Sequence, residues 1–157
     1  MKNVVKNIHR FEGLLSDEAY KSLIANANQY NSQSNISFKV LDVDAVDRFL
    51  LIEVRQGKNA NGQYCDVKEL IDKTQSLFSE TFPKYRIICR PKIYHKPPVD
   101  EVTPKWLQET MTKKRISSKQ IRELTGIDKS NISSWINGGR PMSQPVKSMF
   151  YFMFKEL

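Results

Sequence analysis

The chain has 157 residues, 39% of them apolar, and carries 25 Lys and Arg against 17 Asp and Glu for a formal net charge of +8. That is room for one ordinary domain or two small ones, with apolar content sufficient for a packed core and too high for a disordered chain. No apolar run approaches the ~20 residues that a membrane span needs, and the start "MKNVVKNIHRFEG" lacks the apolar stretch of a secretion signal, so a cytoplasmic protein without membrane contact is expected.

The first 95 residues read as a mixed α and β domain in the order α-β-β-α-β. "SDEAYKSLIANANQY" has Ser16 as a cap, acids in its first turn, and Ala19, Leu23, Ile24 and Ala27 on one face. "NISFKVLDVD" alternates Ile36, Phe38 and Val40 as a strand should. "VDRFLLIEVRQ" is more continuously apolar and reads as a central strand. "KNANGQ" supplies Asn-Gly turn chemistry. "DVKELIDKTQSLFSETF" is a helix capped by Asp66, with Val67, Leu70, Ile71, Thr74, Leu77 and Phe78 turned inward. "YRIICRPKIY" is a third strand whose Pro91 suits an edge. Cys65 and Cys89 fit a reducing compartment as thiols.

"HKPPVDEVTP" ends this region. Its prolines stop strand and helix alike, and residues 96–102 read as a linker. Residues 103–157 then read as four helices with short connections. Thr103 caps the first, with Pro104 in its first turn. Ser117 and Gln120 form a capping box for the second. Asp128 caps the third, and Ser143 begins the fourth. This third of the chain is the basic part, with ten Lys and Arg against four Asp and Glu, whereas the first 102 residues hold fifteen against thirteen. Such an imbalance attracts polyanions, nucleic acid first.

Between the second and third of these helices, Gly126 stands where the chain must turn sharply. Ile121, Leu124, Ile127, Ile132 and Trp135 fall on faces that meet across the turn, leaving the rest of the third helix to short polar side chains. A helix with one buried edge and one open polar edge fits a major groove ~12 Å wide. On these residues, "SSKQIRELTGIDKSNISSWINGGRP" resembles the helix-turn-helix of phage Cro- and C1-repressor-like (XRE-type) proteins. Gly126, Asp128, Ile132-Ser133, Asn137-Gly138 and Arg140-Pro141 carry the resemblance, which covers residues 103–157 only. It departs at Arg122, where the family has a small residue, and at Ser118, where glutamine is common.

The resemblance implies a lambda-repressor-like four-helix domain that reads bases of double-stranded DNA with Lys129, Ser130, Asn131 and Ser134. It also implies phosphate contacts by Ser118, Lys119, Ser133 and Arg140, and a role as a prophage or bacterial transcriptional regulator or repressor. No cofactor, metal or catalytic residue is implied. The last helix, "VKSMFYFMFKEL", is apolar nearly all round and needs a further partner surface. Phe150, Phe152 and Phe154 are the candidates for pairing with a second copy, and the first domain is the competing partner for this helix. That first domain would dimerise, sense a ligand or bind a partner, as an antitoxin does. A nuclease alternative rests on Glu53-Val54-Arg55 with Asp42, Asp44 or Asp47, a loose likeness to the acid pairs that hold Mg²⁺, weakened by arginine standing where lysine belongs.

Overall fold

The computed structural model describes residues 3–157. They fall into two compact units, Met1–His95 and Lys96–Leu157. Among the described residues there are six α-helices and one four-stranded mixed sheet.

In the first unit the sheet runs β1 (Val5–Lys6), β2 (Ile36–Asp44), β3 (Phe49–Gln56), β4 (Arg86–Lys92), each hydrogen-bonded to the next. β2 and β3 form an antiparallel hairpin, while β1 joins β2 and β4 joins β3 in parallel. The hairpin turn is organised by Asp44, whose Oδ1 accepts from the backbone N–H groups of Val46 at 2.9 Å and Asp47 at 2.7 Å, the local side-chain bonding that suits Asp to turns. Val46, Asp47 and Arg48 therefore belong to this turn and not to the strand they were expected to open. β3 is an inner strand and β4 an edge, and Pro91 sits inside β4 opposite Val54.

Alternation sorts the sheet into two faces. Ile36, Phe38, Val40, Leu50, Ile52 and Val54 are buried against α1 (Asp17–Ser34) and α2 (Val67–Thr81). Phe38 meets Phe78 edge-on at 5.6 Å and Tyr30 at 6.1 Å. Both helices start where their sequences provide caps. Ser16 accepts from Ala19, and Asp66 and Glu69 form a reciprocal capping box. Val67 is a correction, being half exposed at the first residue of α2, before the inward-facing stripe begins.

Two elements were not expected. β1, with Val5 fully buried, and a 3₁₀ turn at Ile8–Phe11 bring Val4, Val5, Ile8 and Phe11 into this core. The order is thus β-α-β-β-α-β. Two residues of strand carry no periodicity to detect.

One buried polar side chain ties the loop after β3. Gln56, 2% exposed, donates through Nε2 to the carbonyls of Ser34 at 2.9 Å and Gln63 at 3.3 Å, and its Oε1 accepts from the Cys65 N–H at 2.7 Å.

The second unit packs α3 (Pro104–Lys114), α4 (Ser118–Thr125), α5 (Lys129–Ile136) and α6 (Gln144–Glu156) around Val102, Leu107, Ile121, Ile132, Trp135, Phe150 and Phe154. Thr103 caps α3, and Ser117 with Gln120 boxes α4. Gly126 ends α4 at φ 68°, with its N–H bonded to the Arg122 carbonyl. Asp128 and Ser143 occupy the cap positions of α5 and α6, but neither side chain makes the expected cap hydrogen bond.

Three expectations change here. The segment read as a linker folds as a 3₁₀ turn at Pro98–Glu101 followed by Val102, fully buried in this core. Proline is compatible with the first turn of such a helix because its missing N–H has no partner to lose there. Leu124 does not meet its neighbours across the turn but is 60% exposed. Phe150 and Phe154 are buried, at 0% and 2% exposure, so two of the three candidate pairing residues close this unit's own core. Phe150 lies 6.0 Å from the Trp135 ring and 6.2 Å from that of Phe154. Residues four apart share a helix face, which leaves Phe152 outward, 58% exposed.

Candidate functional site

The polar edge of α5 is built by what the helix buries. Ile132 and Trp135 are spaced three apart and both go inward, at 0% and 8% exposure. Lys129 and Ser130 are exposed, while Asn131, Ser133 and Ser134 are half-buried. Arg140 folds back over this edge. Its Nη1 donates to Asn131 Oδ1 at 3.1 Å, and its backbone N–H donates to the Ser134 carbonyl at 3.2 Å. Asn131 and Arg140, expected to serve bases and phosphates separately, are thus partners in the protein. Ser133 Oγ accepts from Asn137 Nδ2 at 3.2 Å.

On α4, Ser118 is the first helical residue, half-buried. Lys119 is exposed and stands 3.9 Å from Glu123 one turn on, an exposed pair that contributes little. Arg122 is exposed as well. Lys129, Asn131 and Arg140 thus form one group on and beside α5, whereas Ser118 and Lys119 stand at the start of α4.

In the first unit, Glu53 sits opposite Lys39 on β2, not opposite an acid. Lys92 Nζ lies 2.8 Å from Glu53 Oε2. That hydrogen bond, with the charges of Lys92, Arg55 and Lys39, holds the Glu53 carboxyl below its usual range despite partial burial. Asp42 and Asp44 accept backbone N–H groups near the hairpin turn. Among the described residues no three His, Cys, Asp or Glu side chains gather in a group able to hold a metal ion.

Both cysteines are free and half-buried. Burial pushes the Cys89 thiol up to about 11 and also raises Cys65, which favours the thiol form of both. Among the described residues no helix is long and apolar enough to cross a membrane.

Residues 100–156 match the family model described as hepatocyte nuclear factor 1 (HNF-1), N terminus. No curated protein and no solved structure matches the chain significantly. The family match overturns the expected kinship with phage Cro- and C1-repressor-like proteins, and with it the bacterial or prophage repressor role. The physical reason is that the residues carrying that resemblance meet general requirements. A boxed helix start at Ser117, a left-handed Gly126 and an inward Ile132–Trp135 pair are what any two short helices packed across a tight turn need. They specify packing, and they do not distinguish families that share it.

Proposed function

We propose that residues 96–157 form the DNA-contacting, self-pairing module of a transcription regulator. The observation that carries the reading is the edge of α5, a helix whose buried residues are Ile132 and Trp135, with Ile136 packed beside them, and which keeps Lys129, Ser130, Asn131 and Ser134 on and beside its open side, with Arg140 held against Asn131. An edge of short hydrogen-bonding groups plus cations suits base edges and phosphates in a major groove. The likeness to the N terminus of a nuclear factor is in keeping with work on chromosomal DNA, and it supports no cytoplasmic assignment. Asn131 is the adenine-reading candidate, Lys129 a guanine or phosphate contact, and Arg140, Ser118, Lys119 and Ser133 phosphate contacts.

Self-pairing rests on Phe152, 58% exposed on α6. Paired copies on one duplex read paired half-sites.

Selection of bound sites from random duplexes is the test. The chain should enrich a defined site, and Lys129→Ala with Asn131→Ala should abolish that preference while the fold survives. A double variant that keeps its full selectivity would refute the role of α5. A chain that sediments as a monomer at high concentration would end the pairing.

A further inference from the structure

We infer that the helix-free face of the N-terminal sheet is a DNA-backbone surface, gripping the sugar-phosphate ridges of a duplex without reading sequence. It is independent of what α5 does, because it lies wholly in residues of the first unit.

The strand register builds the surface. Lys6, Lys39, Glu53 and Arg90 stand side by side across all four strands, and Ser37, Arg55 and Lys92 form the neighbouring row. These residues alternate with Phe38, Val54 and Ile36, which are buried beneath the helices, so they occupy the opposite face. Lys6, Lys39, Arg55, Arg90 and Lys92 are all exposed. Two adjacent rows therefore hold five cations and one carboxylate. Residues 1–95 as a whole contain fourteen Lys and Arg against eleven Asp and Glu, an excess of only three. The excess of four in these two rows is segregation, not the average character of the unit.

Glu53 cannot neutralise the patch. It is committed to Lys92 at 2.8 Å, and its carboxyl is already held ionised by Lys92, Arg55 and Lys39. Four positive charges are left over.

Edge protection does not explain the arrangement. Cations that keep a sheet from pairing with other chains belong on its edge strands, whereas Lys39 and Arg55 lie on the inner strands β2 and β3. A charged inner row serves no such purpose and suits a polyanion.

The occupant follows from what the patch lacks. Single-stranded nucleic acid is held by aromatic side chains on which its bases stack. None of the seven residues in the two rows is aromatic. The aromatic nearest to these rows, Tyr94, lies beside Arg55 and Lys92 and is already stacked on Tyr64 at 4.5 Å, so the rows themselves offer charge without a stacking platform, which fits duplex phosphates. At ~4.8 Å between strands, the row from Lys6 to Arg90 spans about 14 Å, close to the ~12 Å between the ridges that flank a major groove. At the hairpin end the face carries Asp42 and Asp44, opposite Leu51 and Phe49, so the basic surface stops there.

The experiment uses the whole chain and a mixed-sequence duplex, with affinity followed by fluorescence anisotropy over a range of salt. Each phosphate contact contributes ~0.9 to the slope of log affinity against log salt. Lys39→Gln, Arg55→Gln and Arg90→Gln combined should lower that slope by roughly 2 to 3 and weaken every duplex alike. Glu53→Gln, which removes the one acid and keeps a hydrogen-bonding amide, should tighten every duplex, and it carries the test if the triple variant melts early. An unchanged slope in a folded triple variant overturns the inference, as does an unchanged affinity in Glu53→Gln. Tighter binding to single strands than to duplex also overturns it. Failure of the α5 reading looks different: Lys129→Ala with Asn131→Ala removes choice among duplexes and leaves this patch's share of the slope intact.

Discussion

Phe150→Ala gives the sharpest test of the α-helical core. Phe150 is fully buried and packs against both the Trp135 and Phe154 rings. Truncating a core phenylalanine costs about 3–5 kcal/mol in lost burial and cavity formation, and the ring pairs add roughly 0.5–1.5 kcal/mol. Lys96–Leu157 is a 62-residue unit, and at ~0.05–0.15 kcal/mol per residue its whole stability is about 3–9 kcal/mol. The loss is comparable to the total, so the unit should be largely unfolded near body temperature. Both tryptophans of the chain, Trp106 and Trp135, lie in this unit. Tryptophan fluorescence in a urea titration therefore reports it alone, while far-ultraviolet circular dichroism retains the signal of the first unit. Phe152→Ala, on the exposed side of the same helix, should change stability by no more than ~0.5 kcal/mol and should weaken self-pairing. A Phe150→Ala transition displaced by less than about 1 kcal/mol would refute the burial argument.

Two further outcomes follow from the first unit. Gln56→Leu strands the Cys65 N–H and the Ser34 and Gln63 carbonyls, and should cost roughly 2–4 kcal/mol and loosen residues 57–65, seen as faster amide exchange and faster proteolysis there. Cys89 should resist alkylation in the folded chain at mildly alkaline pH and react on unfolding, because its folded thiol is raised from 9.0 to about 11. The sign follows from that shift: the unfolded thiol ionises first, so the stability Cys89 contributes is complete below pH 9.0 and is lost as pH rises toward about 11. Thiol counting at pH 8 on native protein, with Cys89 labelled as fast as in urea, would contradict this.

Local chemistry in the sequence located most elements. Ser16, Asp66, Thr103 and Ser117 each marked a helix start because a side-chain oxygen three residues before a free N–H is a strictly local device. Asp128 and Ser143 marked starts without making the bond, since the residue type permits a cap and the final geometry decides it. The alternation of Ile36, Phe38 and Val40 exposed the β2 face, but the pairing of β1 with Phe38 and Lys39 is a contact between residues over thirty apart, beyond any local pattern. The Pro97-Pro98 segment misled because proline forbids a long helix and says nothing against one 3₁₀ turn. In α6, aromatic residues at 150, 151, 152 and 154 left the inward face ambiguous until packing chose Phe150 and Phe154. For the candidate site, the sequence pointed to the α5 edge. It did not reveal the Arg140–Asn131 bond, which depends on how the loop after α5 returns. Nor did it show that Lys39, Glu53 and Arg90 align across three strands, with Arg55 and Lys92 in the next row, since alignment is a property of register.

The hairpin of β2 and β3 also sets an order of assembly. Its strands are joined by Ala45–Arg48 alone, so closing it costs little chain entropy and can happen in about 1–10 μs. β1 and β4 each reach it only across a helix, α1 or α2, and must wait until that helix has a surface to settle on. The middle of the sheet is therefore a natural nucleus, and substitutions at Val40 or Ile52 should slow refolding more than those at Val5 or Ile87.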